Sequence, residues 1–247
     1  MMPDAIVLCG GAGLRLRSVT GSEAPKAMAP VAGRPFMELL LLQLKRYGFS
    51  RVILSVGYQQ DVIRGHFGQS AFGLELVYSP ESSPLGTGGA LGQAAHLVTT
   101  DDALVMNGDS YTDIDLCRLV LMHRKDQAGL TVTLVAGTLA DAGSVLVGDK
   151  GKITTFAEKC FVQGARYRSA GIYMVGKHLL ARIPQGQQVS LEQQLFPTWI
   201  DEGRDIRGFI HEGTCVDIGT PERYQGAQAI LAHAEMHGFA MRTDGQL

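Results

Sequence analysis

Most short signatures that betray a chemistry are missing from this chain. Its 247 residues contain no CxxC, no HExxH, no GxSxG and no GxxxxGK[ST]. That removes zinc-ribbon and dithiol redox sites, the zincin metal site, the serine-hydrolase elbow and the Walker phosphate loop. The four cysteines, Cys9, Cys117, Cys160 and Cys215, are scattered singly, so a reduced, cytoplasmic compartment is the expectation. Charge imbalance is also missing: 22 Lys+Arg stand against 24 Asp+Glu, with no basic tail, which argues against a nucleic-acid partner. The longest apolar stretch, 36–44, is broken by Glu38 and Gln43 and is too short to cross a bilayer. The opening Ala5-Ile-Val-Leu-Cys9 lacks the basic flank and cleavage site of a signal peptide, so no membrane association is expected. Seven histidines form one ligand-spaced pair, His233 and His237, which reads as surface on a terminal helix; the single tryptophan, Trp199, reads as core. No repeat, linker or low-complexity run divides the chain.

What is abundant is glycine, at 31 of 247 residues against an average near 7%. With 45% hydrophobic and 19% charged residues the chain is neither disordered nor, lacking a G-X-Y period, collagenous. The surplus implies tight turns or backbone that approaches a ligand closely.

Segments of strand and helix character alternate through 1–136. Continuous apolar runs at 5–9, 51–56, 74–78, 103–106 and 130–136 read as strands buried on both faces, with helices over 35–47, 59–67, 88–97 and 116–125. From 137 onward the strands are shorter (144–147, 153–156, 169–175, 208–210, 214–217). A helix opens at Ser190, where Ser190…Gln193 resembles a capping box, and another runs from Pro221 to Gly238 before a frayed end. The expected fold is α/β, a Rossmann-like, mixed but mostly parallel sheet with helices on both faces. It forms one domain over 1–247, with a nucleotide-binding half (1–136) and a sugar-binding half (137–247). Oligomeric state is not legible: an apolar 36–44 helix serves a deep core or a self-association surface equally.

Gly10-Gly11-Ala12-Gly13-Leu14-Arg15 follows the first strand directly, where parallel sheets bind ligands. The dinucleotide fingerprint fails, because its third glycine would be Leu16 and a loop, not a helix, is expected over 19–25. Backbone N–H groups with Arg15 and Lys26 suit a triphosphate, although a tight turn carrying solvated bases accounts for the loop as well. Asp109 ends the 103–106 strand, the place for a magnesium ligand or for a plain turn aspartate. Asp217 lies in Cys215-Val-Asp-Ile-Gly-Thr-Pro221, and two distant carboxylates on one Mg²⁺ are chemically sensible. Asp113 and Asp115 read as turn and cap residues.

Taken together, GGAGLRLR, PKAMAPVAGRPFMEL and VDIGTP resemble the signature of the sugar-1-phosphate nucleotidylyltransferases, of nucleotide-diphospho-sugar transferase fold. One departure is Leu14, where that family usually has Thr. The resemblance implies transfer of a nucleoside monophosphate from an NTP to a sugar 1-phosphate, with Mg²⁺ on Asp109 and Asp217. It implies Arg15, Lys26, Asp109 and Lys159 as catalytic. Leu8, Gly10, Gly11, Gly13, Arg15, Lys26, Pro80, Gly86, Thr87, Gly88, Asn107 and Asp109 would surround the nucleotide, and Gly108, Glu158, Lys159, Gly171 and Asp217 the sugar. In this reading Arg15 holds the β,γ-phosphates, and Gly88 with Gly89 lays main chain against the base or sugar. Ser190-Leu-Glu192…Phe196-Pro197 matches a further family segment read as architectural. The closest resemblance is to D-glycero-α-D-manno-heptose 1-phosphate guanylyltransferases using GTP. Mannose 1-phosphate guanylyltransferases and N-acetylmuramate 1-phosphate uridylyltransferases come next. No hexapeptide-repeat tail follows, unlike the acetyltransferase fusions. A catalytically inactive, ligand-sensing homologue is the reading from another class.

Overall fold

The computed structural model describes residues 1–20, 24–137 and 143–238, with side chains through 231. The expected frayed end and the side chains of His233 and His237 lie outside these residues, as does 21–23 of the expected 19–25 loop. Four parallel strands form the centre of a ten-stranded sheet: Asp102–Asn107, Asp4–Leu8, Arg51–Val56 and Leu74–Pro80, side by side in that order. The long strand Tyr167–Gly176 runs antiparallel beside Asp102–Asn107 and carries the sheet into the second half. There it branches. One path continues through Ser144–Val147 to Ile153–Ala157, the other through Leu130–Ala136 to Ile206–His211, the last pair parallel.

Side chains on a strand alternate between faces, so a continuous apolar run needs cover on both. Ala5, Val7, Val52, Leu54, Leu104 and Met106 pack with the helix Phe36–Arg46 on one face. Ile6, Ile53 and Val105 turn the other way, onto Leu91 and Ala94 of the helix Gly86–Ala95 and onto Phe196 and Trp199. Phe36, Met37, Leu39, Leu40, Leu41 and Leu44 are all 0% exposed, so the apolar residues of this helix belong to the deep core.

Three local departures from the sequence pattern have identifiable causes. Helical structure does follow the glycine loop: Gly13, at φ 61°, starts the turn Leu14–Leu16, and Arg17–Thr20 extends it. The Ser190 cap does accept the Gln193 N–H, but the reciprocal bond to the Ser190 N–H comes from Gln194, because Leu191–Leu195 forms a π-turn. In Tyr167–Gly176 the register shifts between Ser169 and Tyr173, at Gly171 with φ +72°.

A short antiparallel ribbon ties the two halves together. Ser110–Thr112 pairs with Cys215–Asp217, setting Asp217 opposite Ser110, and the Ile218 N–H reaches the Asp109 carbonyl at 2.9 Å. Two carboxylates remote in sequence thereby become neighbours.

Leu40→Ala should lower unfolding stability by about 2–5 kcal/mol, as expected for truncating a fully buried leucine. Urea denaturation with an unchanged m-value is the check.

Candidate active site

Two cavities open at the carboxyl ends of the central strands. The first, about 620 Å³, is walled by the first strand's end and its glycine loop (Leu8, Cys9, Gly10, Gly11, Ala12). Gly57 and Tyr58, the segment Glu81–Pro84, and Gly86 and Thr87 complete it. The second, about 410 Å³, is far more polar and is lined by Arg15, Glu158, Lys159, Arg168, Gly171, Glu192, Asp217 and Arg223 among others. Lys26, Asn107 and Asp109 belong to both, so they mark where the cavities meet.

The glycine loop leaves donors for a ligand. Among the described residues, the N–H groups of Gly11, Ala12 and Gly13 make no hydrogen bond. Consecutive free N–H groups form the concave nest that suits phosphate oxygens. Gly13 does not line either cavity. It faces Lys26, whose Cα would stand 3.1 Å from a Cβ on Gly13, and its missing side chain lets the Lys26 backbone close on the loop. The Lys26 N–H then donates to the Gly11 carbonyl at 3.2 Å.

Lys26 forms a short ion pair with Asp109, while Asp217 accepts from Arg223 at 3.3 Å and from the Gly219 N–H at 2.8 Å. A Cβ on Gly219 would lie 2.8 Å from Asp217 Oδ1 and 3.6 Å from Lys26 Nζ, so the two pairs adjoin one another. Asn107 Oδ1 is buried with no hydrogen-bond partner, an acceptor available where the cavities join. Lys159 adopts a left-handed φ of 54° and lines the polar cavity; Glu158 borders Gly143, where a Cβ would come within 2.8 Å of its carboxylate.

Several expected residues are placed differently. Arg15 lines the polar cavity and not the first one. Gly108, expected at the sugar, lines the first cavity; its N–H bonds the Leu8 carbonyl at 2.9 Å, and a Cβ would meet that oxygen at 2.7 Å. Gly88 faces no cavity: the N–H groups of Gly88 and Gly89 both donate to the Val189 carbonyl, fastening the helix start to the segment before Ser190. Pro80 is exposed and outside both linings, its carbonyl taken by Gln93. The Thr87 hydroxyl is already bonded to Glu192 at 2.7 Å and to the Leu191 N–H at 2.9 Å. Gly171 does line the polar cavity, and a Cβ there would stand 2.8 Å from Asn107 Nδ2. Leu14 is 66% exposed and lines neither cavity, so the departure from Thr costs no contact in these walls. Asp115 caps its helix by accepting the Arg118 N–H, and Asp113 pairs with His211.

Three charged lining residues carry no motif in the sequence, Glu81, Arg168 and Arg223, and a fourth, Glu192, lies in the segment read as architectural. Glu81 is the only acidic residue in 79–100, which was the available signal. Its carboxylate accepts from the Leu85 N–H at 3.0 Å and Ser55 Oγ at 3.4 Å, and burial raises its pKa. Gly10 makes room for it, since a Cβ there would be 2.6 Å from Glu81 Oε1. Burial first, then the Glu81 charge, raises the Cys9 thiol pKa, which keeps it protonated and unfit as a nucleophile. All four cysteines are free thiols. Among the described residues no helix is long and apolar enough to cross a membrane.

Comparison with known proteins points one way. A family profile described as Nucleotidyl transferase matches residues 4–233. The chain is 37% identical over 242 residues to a mannose-1-phosphate guanylyltransferase of Mycobacterium tuberculosis, covering 97% of this chain and 67% of that protein. It is 33% identical to a D-glycero-alpha-D-manno-heptose 1-phosphate guanylyltransferase of Aneurinibacillus thermoaerophilus, covering 93% of this chain and 99% of the other. The crystal structure of HddC from Yersinia pseudotuberculosis superposes with a TM-score of 0.81 at 28% identity, over 93% of this chain and all of that one; the same protein has also been solved complexed with GMP-PN.

Gly89→Ala should destabilise the protein by about 1–3 kcal/mol. The new Cβ would fall 2.3 Å from the Gln187 carbonyl oxygen and 2.8 Å from Leu85. A urea midpoint equal to that of the parent would contradict this packing.

Proposed function

The chain belongs to the nucleotidyl transferase family and is a sugar-1-phosphate nucleotidyltransferase, and we propose that it transfers GMP from GTP to D-glycero-α-D-manno-heptose 1-phosphate, releasing pyrophosphate. A single domain over 1–247 would hold both substrates. The near end-to-end match to the Aneurinibacillus enzyme supports the heptose. Mannose 1-phosphate is the second reading, favoured by the 37% identity to the mycobacterial enzyme; both sugars share the manno ring.

One observation carries the guanine assignment: the Glu81 carboxylate faces the nucleotide-side cavity. Guanine alone among the bases offers two adjacent donors, N1–H and N2–H, on its pairing edge, which match the two oxygens of a carboxylate. Uracil offers one N–H between two carbonyl acceptors and would set both against the negative charge.

In the reaction an anionic oxygen of the sugar phosphate attacks the α-phosphorus, and the bond to the pyrophosphate oxygen breaks as the new P–O bond forms. The attacking group needs no general base, so positioning and charge compensation carry the rate. The unbonded N–H groups of the glycine loop would hold phosphate oxygens. Lys26, at the meeting of the cavities, would move its charge from Asp109 to the α-phosphate. Arg15, Lys159 and Arg223 would offset the phosphate charge within the polar cavity, and Glu158 and Gly171 would accommodate the sugar. Asp109 and Asp217 adjoin one another and fit Mg²⁺, which takes one or two carboxylates with phosphate oxygens and water. Bound there, the ion would neutralise phosphate charge. A cytoplasmic enzyme without nucleic-acid or membrane partners is the accompanying reading.

Asp109→Ala should cut kcat by about 10²–10³, or 3–4 kcal/mol, with the circular dichroism spectrum intact; near-normal turnover would remove Asp109 from the centre. A panel of NTPs against heptose, mannose and muramate 1-phosphates, followed by pyrophosphate release, should show GTP with the heptose phosphate fastest. Turnover of UTP with muramate phosphate and none of GTP would overturn the assignment. Protonated Glu81 loses an acceptor, so guanine binding is present above its pKa and lost as pH falls through it. Because burial raises that pKa above 4.5, KM for GTP should begin to rise at a higher pH than an ordinary carboxylate would give. Glu81→Gln should abolish that pH dependence and raise KM for GTP on the order of 10–100-fold, the worth of a charged hydrogen bond.

A further inference from the structure

Glu192 stands in the wall of the polar cavity, yet its carboxylate is anchored from both cavities at once. Oε2 accepts from Thr87 Oγ1 at 2.7 Å and from Ser190 Oγ at 3.2 Å, and Oε1 accepts from the Tyr173 hydroxyl at 3.1 Å. Thr87 lies in the first turn of the helix Gly86–Ala95 and lines the nucleotide-side cavity, and it accepts the Leu191 N–H at 2.9 Å. On the other side Ser169 donates to the Tyr173 hydroxyl at 3.2 Å and accepts the Gly171 N–H at 3.1 Å, and all three line the polar cavity.

The directions in this chain are forced. A carboxylate only accepts, so Thr87, Ser190 and Tyr173 must all donate to it. Ser169 then donates to Tyr173, and backbone N–H groups feed the two ends, so every proton points toward Glu192. Such an aligned chain polarises along its length. Burial raises the Tyr173 pKa well above its ordinary value, and the Glu192 charge adds to the effect, which keeps the hydroxyl proton in place as donor. A carboxylate has about four acceptor sites. Three are filled by these hydroxyls, and the fourth is left for a donor in the polar cavity. The π-turn Leu191–Leu195, capped by Ser190 and braced by Gln194, carries this carboxylate between the two cavities.

We infer that Glu192 is a positioning residue that couples the two substrate cavities: it fixes the helix turn beside the nucleotide through Thr87 and the strand beside the sugar through Tyr173. A sugar hydroxyl that takes the fourth site orders the same carboxylate that holds Thr87, and a nucleotide seated against the Gly86–Thr87 turn orders it from the other side. Whichever ligand binds first meets the ordering cost, and the second binds more tightly, with a factor that is the same in either order. The inference rests on the proposed occupants of the cavities, NTP in one and sugar 1-phosphate in the other.

The test measures Kd for α,β-methylene-GTP by calorimetry in magnesium, with and without saturating heptose 1-phosphate. The parent protein should show at least about fivefold tightening by the sugar phosphate. In Glu192→Gln the amide cannot accept from all three hydroxyls, and the factor should fall to about one. Thr87→Val and Tyr173→Phe should lose the coupling, and Thr87→Ser, which keeps the hydroxyl, should retain it. If Glu192→Gln does not fold, Tyr173→Phe, which removes a single oxygen, carries the test. No tightening in the parent, or an equal factor in parent and Glu192→Gln, overturns the inference. Failure of either ligand to bind the parent at all overturns the proposed function instead.

Discussion

On the proposed function the site is organised around one electrostatic constraint: Asp109 would face two anionic substrates, and the Lys26 ammonium paired with it would make that tolerable. Two like charges a few ångströms apart repel strongly in a partly dry cavity. The ion pair of Lys26 with Asp109 holds both groups where the two cavities meet. Much local structure serves this placement. Gly13 gives up its side chain so that the Lys26 backbone can close on the loop, and Gly219 does so beside Asp217 and Lys26 Nζ. The ribbon of Ser110–Thr112 and Cys215–Asp217 then sets the second carboxylate, with Arg223, against the first pair.

Glycine expresses the same constraint in the backbone. Gly108 sits where a Cβ would strike the Leu8 carbonyl at 2.7 Å, and Gly171 where one would strike the Asn107 amide. Both allow strand ends to approach until Asn107 and Asp109 stand between the cavities. Gly88 and Gly89 serve packing of a different kind: their missing side chains let the Val189 carbonyl receive two N–H groups. These glycines therefore divide between letting the residues of the site close on one another and letting the segments that frame them dock.

That division explains what the sequence did and did not disclose. The buried strands were legible because continuous apolar runs have few other uses, and the order of strand and helix followed from them. Lys26, Asp109, Glu158, Lys159 and Asp217 were legible through motifs, each in a short fixed context. Glu81, Arg168 and Arg223 were not, and Glu192, though inside a recognised segment, was read as architectural, because its role depends on a partner far along the chain: it meets Thr87 across 105 positions. Gly88 was misplaced for the same reason, since Val189 lies a hundred residues on. Gln194 replaced Gln193 in the cap because one π-turn shifts every side chain by a fraction of a turn, a change no spacing rule registers.

Four carboxylates of the site fall into two kinds, and the distinction follows from what holds them. Asp109 and Asp217 each have a cation partner, Lys26 and Arg223, beside a neutral donor, Ser110 Oγ and the Gly219 N–H. A carboxylate so paired is ready to exchange one positive partner for another, which suits a centre where phosphate and Mg²⁺ arrive together. Glu81 and Glu192 are held by hydroxyls and a backbone N–H instead. Neutral donors fix the position of a carboxylate without cancelling its charge, so its remaining acceptor sites stay strong. That would suit neutral ligand groups that donate, in the proposed reading a base N–H at Glu81 and a sugar hydroxyl at Glu192. On the proposed function, then, the two ends of the substrate pair would be read by charge that is kept, and the phosphates between them met by charge that is traded.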